Sequence, residues 1–290
     1  MGDWVAIQII GSDEAIIHGI LPRKSQFSRK MPISGGRKIK KGVIQGGSTE
    51  EQVMASNIDI AFIVCGLDNN FDLRRIERYI TLVYNSRVKP VVILNKADKC
   101  PNPEDFLRLV EEVAIKIPVY IVSALKSISM DVFTQYMQPG KTVVFLGSSG
   151  VGKSTIINCL FGENRQQTKL ISESTGKGRH TTTYSELIMH DSGCMLIDTP
   201  GSRELQLWGT TDCLDESFQD IIELSYKCKY NDCQHHNEPG CAIIKAIEEG
   251  SLSYERYESY KKQFFELKLL DKRKKQLELY RNKMMKRNKF

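Results

Sequence analysis

The rhythm of apolar and polar positions changes twice along this chain. From Trp4 to Ile10 and from Ala15 to Leu21, short alternating stretches flank Gly11-Ser12-Asp13. That pattern predicts a β-hairpin, followed by a Gly- and Lys-rich loop. From Ile58 onward the alternation gives way to nearly continuous β-branched runs: Ile58–Cys65, Pro90–Leu94, Val119–Val122 and Thr142–Leu146. Helical patterns at Leu73–Asn85, Pro103–Lys116 and Met130–Met137 separate them. Strands apolar on both faces, alternating with helices, predict an α/β domain built on a mostly parallel sheet with helices on both faces. A further helix is expected after Gly152 through Phe161, and a further strand at Cys194–Ile197. Beyond Leu207 the strand signal stops. Short helices there surround a Cys/His cluster, and a long basic helical stretch closes the chain.

Composition narrows the setting. No run approaches the ~20 apolar residues needed to span a bilayer, and no secretory signal opens the sequence. Eight cysteines without an export signal imply reduced thiols or metal ligands, so a cytoplasmic protein is expected. The net charge of +6 is unevenly placed. Arg23 to Lys41 holds eight basic residues and no acidic one, and Lys261 to Phe290 holds twelve basic against three acidic. Positive charge at both ends suits a polyanionic partner.

The sharpest chemical signal is Gly147-Ser148-Ser149-Gly150-Val151-Gly152-Lys153-Ser154-Thr155, lying between a strand and a helix. This is the context a phosphate loop requires. Its glycines let backbone N–H groups face phosphates, and the helix N-terminus adds partial positive charge. Lys153 would neutralise the β- and γ-phosphates, and the Ser154 hydroxyl would coordinate Mg²⁺. Asn95-Lys96-Ala97-Asp98 also follows a strand. A carboxylate at Asp98 can accept from guanine N1–H and its exocyclic amine together, a donor pair that adenine lacks. Asn95 would brace the loop and the stem of Lys96 would cover a ring face. Ser123-Ala124-Leu125 after the next strand resembles a loop whose N–H meets guanine O6. Asp198-Thr199-Pro200-Gly201 reads as a switch: Asp198 would reach Mg²⁺ through water, and the Gly201 N–H would meet the γ-phosphate. Upstream, Gly178-Arg179-His180-Thr181-Thr182-Thr183 could supply a threonine to Mg²⁺ when the γ-phosphate is present. Ser202 stands where Ras-type enzymes carry a water-orienting glutamine, so slow intrinsic hydrolysis is expected, with His180 the candidate to orient or deprotonate water.

These loops come in an inverted order, with base selection ahead of phosphate binding. That order implies a nucleotide-binding domain whose sequence has been cut and rejoined. After it, Cys228, Cys233, His235 or His236, and Cys241 supply a Cys3His set with the spacing of a closed, structural zinc site. Cys65, Cys159 and Cys194 lie in apolar patterns and read as core residues.

Taken together, these motifs in this order closely resemble the ribosome small-subunit-dependent GTPase A family (RsgA, also called YjeQ). The resemblance implies an N-terminal OB-like β segment at 1–47, a circularly permuted P-loop G domain at 48–206 and an α-helical zinc domain with a basic tail at 207–290. It implies GTP/GDP and Mg²⁺ as ligands and one structural Zn²⁺ on Cys228, Cys233, His235 and Cys241. It places the Mg²⁺-sensing threonine on Thr182 and the switch-loop histidine on His180. It also implies hydrolysis of GTP to GDP, stimulated by the 30S subunit during its late maturation, with 16S rRNA as the contact. A monomer with no membrane association is expected. Members usually carry strands ahead of the segment matching Gly2–Val5, so the OB-like part is expected to be shortened. Two other readings are a P-loop ATPase or kinase with an unrelated zinc module, and an RNA-binding protein using GTP only structurally.

Overall fold

The computed structural model describes residues 1–31, 50–162, 185–200, 205–236 and 238–287. They form two compact units, Met1–Ser28 with Val53–Leu205, and Arg29–Gln52 with Gln206–Phe290.

The first unit is built on a six-stranded sheet. Its strands are β5 (Ile60–Gly66), β6 (Lys89–Asn95), β7 (Val119–Ile121), β8 (Thr142–Leu146), β9 (Glu186–Met189) and β10 (Met195–Asp198), in the spatial order β7-β6-β5-β8-β10-β9. All neighbours are parallel except β9, which runs antiparallel to β10 at one edge. Three helices fill the crossovers: α1 (Leu73–Asn85), α2 (Pro103–Glu111) and α3 (Lys153–Phe161). From β5 the chain steps outward through α1, β6, α2 and β7, whereas from β8 it steps the opposite way through α3 towards β10. Right-handed crossovers in opposite directions put α1 and α2 on one face of the sheet and α3 on the other. A topological switch point therefore lies between β5 and β8, where the loops at the strands' carboxyl ends diverge and leave a crevice.

The strands read as continuous apolar runs because both of their faces are covered. Val91, Ile93, Val143, Phe145, Leu196 and Ile197 are all buried. Phe62 is fully buried, with ring centroids 5.0 Å from Phe133 and 5.1 Å from Phe145. Asp72 caps α1 by accepting from the Arg75 N–H at 3.1 Å, satisfying one orphan donor of the first turn.

Two helices are shorter than the periodicity predicts. The pattern Pro103–Lys116 is α-helical only to Glu111, after which i→i−3 bonds mix with i→i−4 bonds and Lys116 turns left-handed (φ 60°). Met130–Met137 opens as a single 3₁₀ turn, Met130–Phe133, starting from left-handed Ser129. Such turns still bury Phe133 and Met137, so the apolar spacing survives without the helix.

The N-terminal hairpin is β1 (Val5–Ile9) with β2 (Ala15–Ile20). Among the described residues no third strand pairs with either, so the expected OB-like segment contributes a two-stranded ribbon and no closed barrel. Ile7, Ile9, Ile17 and Ile20 are each more than half exposed on it. Strands β3 (Gln26–Lys30) and β4 (Glu51–Ser56) form a further two-stranded sheet that the sequence pattern did not reveal.

The second unit is helical: α4 (Cys213–Ser217), α5 (Gln219–Ser225), α6 (Ala242–Glu248) and the long α7 (Tyr254–Arg287). Buried Arg256, in the first turn of α7, pairs with Asp220 at 3.0 Å, donates to the Ser217 carbonyl at 2.9 Å and stacks over the Phe218 ring. No helix among the described residues is long and apolar enough to cross a membrane.

Phe62→Ala is expected to destabilise the sheet unit by about 3–5 kcal/mol, since it removes the shared aromatic contact from a fully packed centre. Denaturant unfolding of the two proteins measures the difference.

Candidate functional site

A cleft of about 630 Å³ opens at the carboxyl ends of β6, β8 and β10, beside the switch point. It is the place where the fold leaves backbone groups and loop side chains free to meet a ligand. Asn95, Lys96, Asp98, Lys153, Ser154 and Thr199 line it, with Ser149, Gly150, Gly152 and Thr155. The sequence separates Asn95 from Thr199 by 104 positions; the sheet brings them together.

Asn95 ends β6 and is 2% exposed. Its Nδ2 donates to the Val151 carbonyl at 3.0 Å, and its Oδ1 accepts from the Ala124 N–H at 3.1 Å. One amide thus fastens three loops, those beginning at Asn95, Ser123 and Gly147. The Ser123 hydroxyl donates to Asp98 Oδ1 and fixes that carboxylate at the rim. Lys96 leaves β6 in a left-handed conformation (φ 69°), and its Nζ reaches the Gly150 carbonyl and Asp68.

The phosphate loop depends on glycine at two crowded positions. A Cβ on Gly147 (φ 151°) would lie 2.4 Å from the Val64 carbonyl oxygen. One on Gly152 (φ 98°) would lie 2.3 Å from Asn95 Nδ2. Only glycine permits both the turn and the close approach. Val151 is buried beneath the loop, and the Ser148 hydroxyl accepts from Arg75 of α1 at 3.0 Å. Lys153 begins α3 and donates to the Gly147 and Ser148 carbonyls at 2.9 and 3.0 Å. Burial pushes its ammonium down to about 8, while the nearby Asp198 charge acts in the opposite sense. A cation held in so desolvated a place is suited to an anionic ligand.

Asp198 ends β10, buried, with Oδ2 3.3 Å from the Ser154 hydroxyl. A carboxylate and a hydroxyl side by side at the cleft floor form the hard oxygen set that Mg²⁺ prefers. Thr199 is anchored by donating to the Phe145 carbonyl at 2.7 Å, which ties the start of the switch to the strand of the phosphate loop. Gly178–Thr183, with His180 and Thr182, and Gly201 with Ser202, lie outside the described residues.

In the second unit, Cys228, Cys233, His235 and Cys241 place their ligand atoms within 4.8 Å of one another. His235 Nδ1 lies 3.6 Å from Cys228 Sγ and 3.5 Å from Cys241 Sγ. Tetrahedral Zn–S and Zn–N bonds imply an S···N edge of about 3.6 Å, so the cluster is compatible with a zinc site. His235 adopts φ 57° to turn its ring inward, and the Tyr257 hydroxyl of α7 donates to its carbonyl at 3.1 Å. Burial raises the Tyr257 phenol to about 12, so it stays a donor.

The family model described as RsgA GTPase matches residues 20–208, more than half of the chain. The chain belongs to the RsgA GTPase family. Its relatives named small ribosomal subunit biogenesis GTPase RsgA include one from Syntrophotalea carbinolica, 41% identical, with 92% of this chain and 72% of the relative covered. Another, from Leptospira interrogans serovar Lai, is 43% identical, with 90% and 70% covered. A second family model, described as 50S ribosome-binding GTPase, matches residues 142–281, from the phosphate-loop strand onward. Among solved structures, YjeQ from Thermotoga maritima aligns with a TM-score of 0.62 at 24% identity, covering 92% of this chain and 83% of that one. YloQ, described as a circularly permuted GTPase, aligns with a TM-score of 0.59 at 26% identity, covering 92% and 80%. The inverted loop order is thus the order of the RsgA-family fold.

Sequence motifs did not point to Asp68, Arg75 or Tyr257. The available signal for Asp68 was its place: a polar residue just past an apolar strand, at the same sheet edge as Asn95. Tyr257 could have been noticed from the aromatic spacing Tyr254, Tyr257, Tyr260, Phe264 at the start of the C-terminal helical stretch.

Gly152→Ala is expected to drive Asn95 off Val151 and loosen all three loops, weakening GDP binding by roughly tenfold or more. Titration with a fluorescent GDP analogue reads the loss, and an unchanged circular dichroism spectrum shows that the fold persists.

Proposed function

We propose that this RsgA-family chain binds GTP in the cleft between the 95–98 and 147–155 loops and hydrolyses it to GDP in the course of small ribosomal subunit biogenesis. The observation that carries this reading is the paired hydrogen bond of Asn95, because it assembles loops of inverted sequence order into one nucleotide site. Asp98, oriented by Ser123, accepts the guanine N1–H and amine, and the 123–125 loop offers a backbone N–H to the base. The stem of Lys96 covers the ring. Backbone N–H groups from Gly147 to Thr155, with Lys153, hold the phosphates at the N-terminus of α3. Ser154 and Asp198 hold Mg²⁺, which when bound neutralises charge on the phosphate oxygens.

Thr182 completes that shell and Gly201 meets the γ-phosphate, while His180 orients or deprotonates the attacking water. Without a glutamine at Ser202, turnover is slow until the subunit is bound. Cys228, Cys233, His235 and Cys241 hold one structural Zn²⁺. The basic segments 23–41 and 261–290 supply a salt-dependent grip on 16S rRNA. Functionally the chain divides into an OB-like part at 1–47, the G domain at 48–206 and the zinc domain at 207–290. It acts as a cytoplasmic monomer.

GTP turnover with and without purified 30S subunits tests this reading. Stimulated turnover that is lost in Lys153→Ala is expected. A preference for ATP over GTP would overturn the role of Asp98, and turnover indifferent to the subunit would overturn the assignment of partner.

The lowered Lys153 value has a separate consequence. Phosphates favour its charged form, so the bound protein holds a proton that the free protein releases as pH rises past about 8. GDP affinity is therefore expected to be flat near neutral pH and to weaken above about 8. Titrations at several pH values check this, with Lys153→Ala losing the dependence.

A further inference from the structure

Asp68 lies on the loop that leaves β5 and belongs to none of the nucleotide-binding motifs. Its Oδ2 is 2.6 Å from Lys96 Nζ, and its Oδ1 accepts the Asn70 N–H at 3.0 Å. Only 22% of the Asp68 side chain and 19% of the Lys96 side chain are exposed, so solvent screens the pair weakly. The same ammonium donates to the Gly150 carbonyl. Space for the pair exists because residue 66 is glycine. A Cβ there would stand 2.9 Å from Asp68 Oδ1 and 3.4 Å from Lys96 Cδ. The loop itself is tied down by the Leu67 N–H bonding the Asn95 carbonyl at 2.7 Å. Burial opposes charge on Asp68, but the Lys96 and Asn70 bonds outweigh it and hold the carboxyl below its ordinary range. The Asp68 carboxylate is therefore charged throughout the neutral range.

A lysine has four rotatable bonds and a strongly hydrated head, so a lysine alone would not hold its stem flat against a ligand. We propose that Asp68 is a positioning residue for guanine nucleotide. It pins Lys96 so that the lysine stem forms a fixed wall for the base while the ammonium clamps the phosphate loop at Gly150. Asp68 touches no part of the nucleotide itself. Three adjacent strand ends, those of β5, β6 and β8, are joined through this one ammonium. The inference rests on the guanine-site reading above and adds the group that preorganises it.

The test measures fluorescent GDP binding and nucleotide-free thermal melting for the parent, Asp68→Asn, Asp68→Glu, Lys96→Met and the Asp68→Asn/Lys96→Met pair. Asp68→Asn is expected to weaken GDP binding by about tenfold, as loss of one charge-assisted hydrogen bond implies. In the Lys96→Met background the same change should cost nothing further, and Asp68→Glu should bind more tightly than Asp68→Asn. Parent-like affinity in Asp68→Asn, additive losses in the double variant, or a glutamate no better than asparagine would each overturn the proposal. So would a large fall in melting temperature on Asp68→Asn that persists in the double variant, which would mark a purely structural residue. A parent protein that binds no GDP would refute the guanine site, and the inference with it.

Discussion

The nucleotide cleft depends on one buried side chain. Asn95 offers a donor and an acceptor in fixed relation, and both are used, towards Val151 and Ala124. A buried amide left unsatisfied would cost about 1–3 kcal/mol, so the three loops hold one another in a single arrangement. Gly152 is part of the same constraint, since its missing side chain is what lets Asn95 approach the phosphate loop. Because the constraint is spatial, it is indifferent to the order in which the chain visits the three loops. A permuted sequence can therefore build an ordinary guanine site, provided that the parallel sheet returns every strand end to the same edge.

Around this clamp the site is charged where a nucleotide would be charged. Lys153 is desolvated close to Asp198 and Ser154, and Lys96 is balanced by Asp68 on the opposite wall. Each cation has local oxygen partners that keep it in place. The loops and side chains that line the cleft are thus held by bonds among themselves, as in a preorganised site.

The helical unit is organised by a different constraint. Its short helices are too small to be stable alone, and α4 has a single turn and a half at most. They are gathered by the first turns of α7, through Arg256 on Asp220, Ser217 and Phe218, and through Tyr257 on the His235 carbonyl. The Cys3His cluster then lies on a shelf whose backbone is fixed from below. A basic helix that reads in the sequence as a solvated tail is, over its first turns, the support of that cluster.

The fold class and most of the site were legible in the chain itself, because phosphate binding, base selection and metal ligation each demand particular residue types at short local spacing. The loops at 95–98, 123–125, 147–155 and 198–201 and the cluster at 228–241 are local motifs of this kind. Strand runs were legible for the same reason, since a sheet covered on both faces needs continuous apolar residues. The lengths of the helices after Pro103 and Met130 were not, because 3₁₀ turns and α-helices bury nearly the same spacing. Strand β9 is only four residues long and mostly exposed, as an edge strand can be, so it carried no signal. The partners of Asp68, Arg75 and Tyr257 were not legible, because they lie 28, 73 and 22 positions away along the chain. Local chemistry is written in the order of residues; which distant side chains brace it is decided only when the sheet and α7 bring them within hydrogen-bonding reach.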